Sequence, residues 1–293
     1  QLRRLILGDR LRNQDCLADF TRLEVFQSLD LSAKDLQSLL ALSNLRKLSI
    51  SASSGKQITV DIGRLVRLEH LSLYGSSNID YTGIERLGML QTLEARDMVV
   101  DLRKLPKMPH LRRLWLDEFD EDNRELDGLE RFPKLEALKL YGATTIRMSK
   151  PHRRLRVLDM SNNTHLEAFD FFNFLPNLQK LSLSEMYNES LEEKKPLQKM
   201  QHLKRLRYLS LCETDIKDLT GIEQLESLEY LDLYDTQVED VRLLNRLPRL
   251  KEANLCVRGM GDEEMAAQLE APRKAVFVGL PHRYFSIWDR VDI

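Results

Sequence analysis

Residues 206–219 read LRYLSLCETDIKDL, and residues 228–241 read LEYLDLYDTQVEDV. Leu206, Tyr208, Leu209, Leu211, Thr214 and Asp218 return 22 residues later as Leu228, Tyr230, Leu231, Leu233, Thr236 and Asp240. In each copy the two later leucines alternate with polar residues, as in Leu209-Ser210-Leu211. Alternation with a period of two describes a short strand with one buried face. One such strand cannot bury its leucines alone; it needs neighbours that carry the same column.

The skeleton Leu-x-x-Leu-x-Leu recurs in twelve copies, from Leu2-Leu5-Leu7 and Phe26-Leu29-Leu31 to Leu250-Ala253-Leu255, at steps of 19 to 28 residues. A thirteenth, degenerate copy ends in AVFV, residues 275–278. Behind each strand a second apolar spacing appears: Ile222, Leu225 and Leu228 lie three apart, which predicts a short helix or 3₁₀ turn. On these residues the chain resembles the leucine-rich repeat proteins from end to end. The resemblance implies an α/β solenoid, a curved horseshoe with a parallel concave β-sheet and short helices, 3₁₀ turns or loops on the convex side. The array is expected over residues 1–270, with a degenerate last repeat and a cap at 271–293, where Phe277, Tyr284, Phe285, Ile287 and Trp288 concentrate apolar area.

The copies depart from the family pattern three residues after the third leucine, where Asn, Thr or Cys satisfies turn backbone. Asn163, Thr214 and Thr236 fit; Met98, Phe119, Ala143 and Met186 do not. The 28-residue step contains an insertion, residues 184–200, which reads as a surface loop or longer helix.

The net charge is -2, so no global field draws the chain to nucleic acid or anionic lipid. No apolar run approaches the roughly 18 residues of a membrane helix. Cys16, Cys212 and Cys256 are odd in number and far apart, which fits a reducing, intracellular (cytoplasmic or nuclear) setting better than a disulfide scaffold. The chain starts at Gln1 and reads as a piece of a longer protein. It carries no phosphate-binding glycine loop, no H-E-x-x-H and no C-x-x-C, so no catalytic, cofactor or metal site is expected within it.

Numbering each copy from its first leucine, positions three, five and seven face away from the leucine column. In the amino-terminal copies these are small or polar, among them Ser28, Asp30, Ser32, Ser49 and Ser72. Further on they include Trp115 and Tyr141, then Tyr208, Tyr230 and Tyr234, ringed by Asp232, Asp235, Glu213 and Glu252. Tyrosine buries much area at low entropic cost, and acid around it suits an Arg/Lys-rich peptide through ion pairing and cation–π contact. The same residues also serve as ordinary strand-surface side chains. Basic residues gather at the strand starts, among them Arg112, Arg153, Arg156, Lys204, Arg207, Arg249 and Lys251, and predict a basic rim; a nucleic-acid partner is the minor reading of that rim.

The resulting expectation is a non-catalytic protein-interaction module, an adaptor or scaffold that grips its partner on the concave face. Two other readings stay open: the sensing arm of an intracellular immune receptor, and the substrate-selecting or regulatory part of a ubiquitin ligase or phosphatase complex. The phrase from Ile216 to Leu225 resembles phosphatase-regulatory repeats.

Overall fold

A computed structural model of the chain describes residues 2–8, 14–52, 57–75, 79–96, 105–117, 125–186, 191–269 and 276–277. Met98, Phe119 and the aromatic residues 284–288 lie outside them. The chain divides into two compact units, Gln1–Asn123 with Leu129–Leu135, and Arg124–Gly128 with Glu136–Ile293.

The first unit carries β1 (Arg4–Leu7), β2 (Val25–Leu31), β3 (Lys47–Ala52), β4 (Ile58–Asp61), β5 (His70–Tyr74), β6 (Ile79–Thr82), β7 (Thr92–Arg96) and β8 (Arg113–Asp117). β1, β2, β3, β5, β7 and β8 form a parallel ladder in that order. β4 and β6 pair separately, in parallel, within the connections. The second unit begins with β9 (Glu125–Asp127), which pairs with β11 (Thr145–Arg147). Its main ladder runs β10 (Ala137–Tyr141), β12 (Val157–Asp159), β13 (Lys180–Ser182), β14 (Tyr208–Ser210), β15 (Tyr230–Asp232), β16 (Glu252–Asn254) and β17 (Val276–Phe277), all parallel. Among the described residues, ten position-two carbonyls accept two N–H groups from the following copy, as Arg207 O does from Glu229 and Tyr230 at 2.9 Å each. That repeated fork holds those strand starts in register.

Leucines at positions one, four and six fill the core: Leu206, Leu209 and Leu211, then Leu228, Leu231 and Leu233, are all buried. Behind them the chain returns through 3₁₀ turns such as Ile222–Gln224, where Leu225 N–H bonds Ile222 O and Leu228 N–H bonds Leu225 O, both at 2.9 Å. The three-residue apolar spacing therefore closes i→i+3 bonds, as expected of a 3₁₀ turn. Gly221, at φ 103°, opens that turn; a Cβ there would meet Gln198 N at 2.9 Å.

The second copy is registered differently from the skeleton read in sequence. Leu5 pairs with Phe26 and Phe26 with Leu48, so Leu23, Phe26 and Ser28 occupy the one, four and six positions. Phe26 and Ser28 point into the core, while Leu29 is 55% exposed. A register shift between Ser28 and Leu31 inserts one residue and returns Leu31 to the interior. Ser28 therefore faces inward rather than onto the open face. Ser32 is also not on that face: it caps α1 (Ala33–Leu39), its Oγ and backbone N–H both donating to Asp35 Oδ2. With Leu23 as its first residue, this copy stands 21 residues after Leu2 and 22 before Leu45, so the early spacing is more regular than the skeleton suggests.

The insertion is not a surface loop over its described part. It forms α2 (Leu191–Lys194) and α3 (Pro196–Lys199), and Leu191, Leu197 and Met200 are buried. A further helix, α4 (Asp262–Gln268), follows β16.

Candidate interaction surface

The second unit sorts its outward residues into columns. At position three, Tyr208 pairs with Tyr230 and Tyr230 with Glu252. Tyr208 is only 8% exposed: it packs with Ala137 and Val157, and Tyr230 lies against this cluster. Removing the Tyr208 ring would therefore open a packing defect as well as change a surface. Tyr230, Tyr234, Tyr141 and Glu252 are half-buried and remain accessible.

Position five reads Lys139, Asp159, Ser182, Ser210, Asp232 and Asn254 in register. Asp159, Ser182, Ser210 and Asp232 are buried although they stand on the outward face. They are satisfied by one another. Lys139 pairs with Asp159 at 3.1 Å. Ser161 Oγ donates to Asp159 Oδ1 at 2.7 Å, and contacts continue through Ser182, Ser184 and Ser210 at 2.8–2.9 Å. This hydroxyl chain was not singled out by the sequence reading. Its signal was present in the run of small polar residues at one position of consecutive copies.

Position eight bends the chain out of the strand. Asn162, Glu185, Glu213 and Asp235 all take the left-handed conformation, at φ 54° to 59°. Their N–H groups donate across to the position-seven carbonyls of Ser184, Cys212, Tyr234 and Cys256, at 2.7–2.9 Å. The ladder bonds gained offset the left-handed strain. They also stack three carboxylates above the floor. Burial, then Glu213 and Asp159, push the Glu185 carboxyl up. Burial raises Asp232 against the hydrogen bonds it accepts from Tyr234 N–H, Ser210 and Asn254, with Glu213 adding to the rise. Burial and the surrounding charges of Asp232, Glu213, Glu185 and Asp235 raise the Cys212 thiol. Cys212 and Cys256 are both free. Arg258 grips Asp235 with two bonds of 2.5 and 2.6 Å.

The rim is not uniformly basic. At position two, opposite charges alternate: Arg3 with Glu24 at 3.1 Å, Arg46 with Glu69 at 2.5 Å, and Glu229 between Arg207 and Lys251 at 2.8 and 2.6 Å. Stacking places residues of one position beside each other, so a cation in one copy is answered by an anion in the next. The hydrogen bond from Arg207, outweighing burial, and that from Lys251 hold Glu229 at about 2. A carboxylate lowered on folding stabilises the native state above its ordinary pKa, and this is lost as pH falls toward 2. Glu229→Gln is therefore expected to cost about 1–2 kcal/mol at pH 7, reduced by solvent screening around the exposed Arg207 and Lys251 arms. Urea unfolding at several pH values should show the gap close between pH ~4.5 and ~2.

In the first unit, Trp115 belongs to a separate outward cluster. The Arg96 guanidinium lies 4.1 Å from the Trp115 ring centroid and 5.4 Å from that of Tyr74, and its Nε donates to Asp117 at 3.3 Å. Trp115 Nε1 also donates to Asp117, and Tyr74 OH and Ser72 Oγ donate to Glu94. Among the described residues no group of His, Cys, Asp and Glu is placed to hold a metal ion, and no helix is long and apolar enough to cross a membrane.

No protein-family model matches the chain, and no curated protein matches its sequence. Solved structures do resemble it. An internalin (inlF) from Listeria monocytogenes aligns with a TM-score of 0.64 at 19% identity, over 90% of this chain and 76% of that one. A leucine-rich repeat protein of Leptospira interrogans aligns at 0.50 and 18% identity, over 94% of this chain and 90% of that one. The mouse RP105/MD-1 complex contributes a match at 0.51 and 19% identity, over 87% of this chain and half of that chain.

Proposed function

We propose that this chain, which has the leucine-rich repeat fold, works as a protein-interaction module and takes a cationic segment of its partner on the outward face of the second unit. One observation carries the reading: Glu185, Glu213 and Asp232 stand on the outward face that also carries the half-buried Tyr230 and Tyr234, and burial first, then the repulsion of the Glu213 charge, raises the Glu185 and Asp232 carboxyls. A guanidinium or ammonium brought among them relieves that repulsion, and the tyrosine rings supply apolar and cation–π contact to its arm. The floor is rigid, held by the strand ladder and the hydroxyl chain, so little ordering entropy is lost on binding. Glu252 flanks Tyr230 and extends the acidic edge. Asp235 contributes less, because Arg258 already neutralises it.

The resemblance of the fold to a chain of the RP105/MD-1 complex supports the interaction reading in its general form. The aromatic and acidic floor favours an adaptor or scaffold role over the other two readings, since it provides a recognition surface within this chain alone.

The test pairs the native chain with a Tyr230→Ala/Tyr234→Ala variant that keeps Tyr208 in place to spare the packing cluster. Binding of an arginine-rich and a glutamate-rich peptide of equal length would be measured by titration calorimetry. The arginine-rich peptide is expected to bind, to weaken about tenfold or more in the variant, and to weaken with added salt. Equal binding of both peptides, or no change in the variant, would remove this surface from consideration.

A further inference from the structure

The row of outward acids at position eight ends beside a cation that the chain supplies itself. Glu185, Glu213 and Asp235 occupy position eight in three consecutive copies, each in the left-handed conformation. The residue after each turns inward: Met186, Thr214 and Thr236 are at most 3% exposed. In the copy of β16 the order reverses. Val257, at position eight, is buried, and Arg258, at position nine, is exposed. The turn explains the exchange. In the three earlier copies the position-eight N–H reaches a carbonyl of the following copy, whereas Val257 N–H bonds Leu255 O within its own copy, at 2.7 Å. Arg258 N–H then reaches back to Thr236 O, also at 2.7 Å. That bond ties the Arg258 backbone to the residue next to Asp235, and its side chain closes on the Asp235 carboxylate.

The contact is a side-on pair. Arg258 Nε donates to Asp235 Oδ1 at 2.5 Å and Nη2 donates to Oδ2 at 2.6 Å. Both carboxylate oxygens are engaged in parallel, which the planar fork of a guanidinium achieves and the point charge of an ammonium does not. Both side chains keep contact with water, at 52% and 34% exposure. The pair is therefore screened and adds little to stability.

We propose that Arg258 is a resident competitor: it holds, in the free protein, the seat at Asp235 that an arginine of the partner takes on binding. This rests on the proposed cationic partner and specifies it further, as a guanidinium rather than an ammonium, because the seat is shaped for a side-on fork. On binding, one exposed arginine–carboxylate pair is exchanged for another, and the Arg258 arm moves into water. The exchange adds no net pair at Asp235, so Arg258 lowers the affinity of the floor. Being tethered, it is present at high effective concentration. An isolated cation competes poorly with it, whereas a segment with several arginines has the rest of the acidic row to hold it.

Titration calorimetry compares the native chain, Arg258→Gln and Arg242→Gln, each with an arginine-rich and a lysine-rich peptide of equal length. Arg242 is the control. It forms an ion pair of the same kind, with Asp240, at the return turn Arg242–Arg246. Its replacement changes the net charge equally and releases a carboxylate away from the floor. Arg258→Gln is expected to tighten the arginine-rich peptide about fivefold or more, and Arg242→Gln less than about twofold. The gain in Arg258→Gln is expected to be larger for the arginine-rich peptide than for the lysine-rich one. Arg258→Lys keeps the charge and loses the fork; it is expected to fall between the native chain and Arg258→Gln, and it serves alone should Arg258→Gln not fold. If the native chain binds the arginine-rich peptide and Arg258→Gln binds it no tighter, or Arg242→Gln tightens it as much, the competitor role is overturned while the cationic reading stands. An equal gain with both peptides would overturn the preference for a guanidinium. If neither the native chain nor Arg258→Gln binds, the cationic reading falls and this inference falls with it. Binding by Arg258→Gln alone would mean that Arg258 holds the seat firmly enough to close it, which supports the competitor role.

Discussion

Phe26→Ala is expected to lower the unfolding free energy by about 3–5 kcal/mol, while Leu29→Ala, three residues on, is expected to stay within about 0.5 kcal/mol. Both are apolar residues of one strand, and the Leu-x-x-Leu-x-Leu skeleton places both in the core. The pairing of Leu5, Phe26 and Leu48 puts the Phe26 ring in the middle of a core column, fully buried, so its removal leaves a cavity the neighbours cannot fill. Leu29 has its side chain on the other face, over half exposed, and loses little apolar burial. Urea denaturation followed by circular dichroism distinguishes the two. The reverse ranking would mean that the strand sits three residues out of the assigned register, with every side chain on the opposite face.

Asn163→Ala is expected to be the most disruptive single polar replacement in the second unit, at about 3–4 kcal/mol. Asn163 is completely buried. Its Nδ2 donates to the carbonyls of Leu140, Met160 and Ser161 at 2.8, 2.6 and 3.2 Å, and its Oδ1 accepts the Ala143 N–H at 2.6 Å. Alanine leaves these backbone groups without their partner where water does not reach them. One side chain thus serves two copies, which explains how Ala143 can occupy the same position in the preceding copy. Thr214 makes a single equivalent bond, to Leu211 O at 2.7 Å. Thr214→Val, which keeps shape and loses that bond, is expected to cost about 1–2 kcal/mol. The comparison is read from unfolding midpoints at constant slope.

Much of the fold could be read from the repeats because each copy states one strand and one return turn. Leu209-Ser210-Leu211 specifies the buried face, and Ile222, Leu225 and Leu228 specify the 3₁₀ return. Where a copy is degenerate the reading slipped. The second copy has a phenylalanine and a serine in place of two core leucines, with Leu29 and Leu31 nearby as decoys, and only pairing with β1 and β3 settles which column is which. The insertion was opaque for a related reason: Leu191, Leu197 and Met200 acquire an inside only when the neighbouring return turns are in place.

At the surface the division is similar. Alternation alone placed Tyr230, Asp232, Tyr234 and Glu252 on the outward face, because a strand has only two faces. It could not tell that Tyr208 is covered by its neighbours, that Arg258 neutralises Asp235, or that position-two charges answer one another from copy to copy. Those facts depend on which residues from separate copies come within a strand spacing, about 4.8 Å. The sequence by itself determined the repeat unit, its strand, its return turn and, in the regular copies, the side on which each strand residue stands, since these follow from local periodicity. The register of the degenerate copy, the buried hydroxyl chain from Asp159 to Ser210 and the exposure of each tyrosine were decided only by the tertiary structure, because each depends on contacts between residues more than 20 positions apart in the chain.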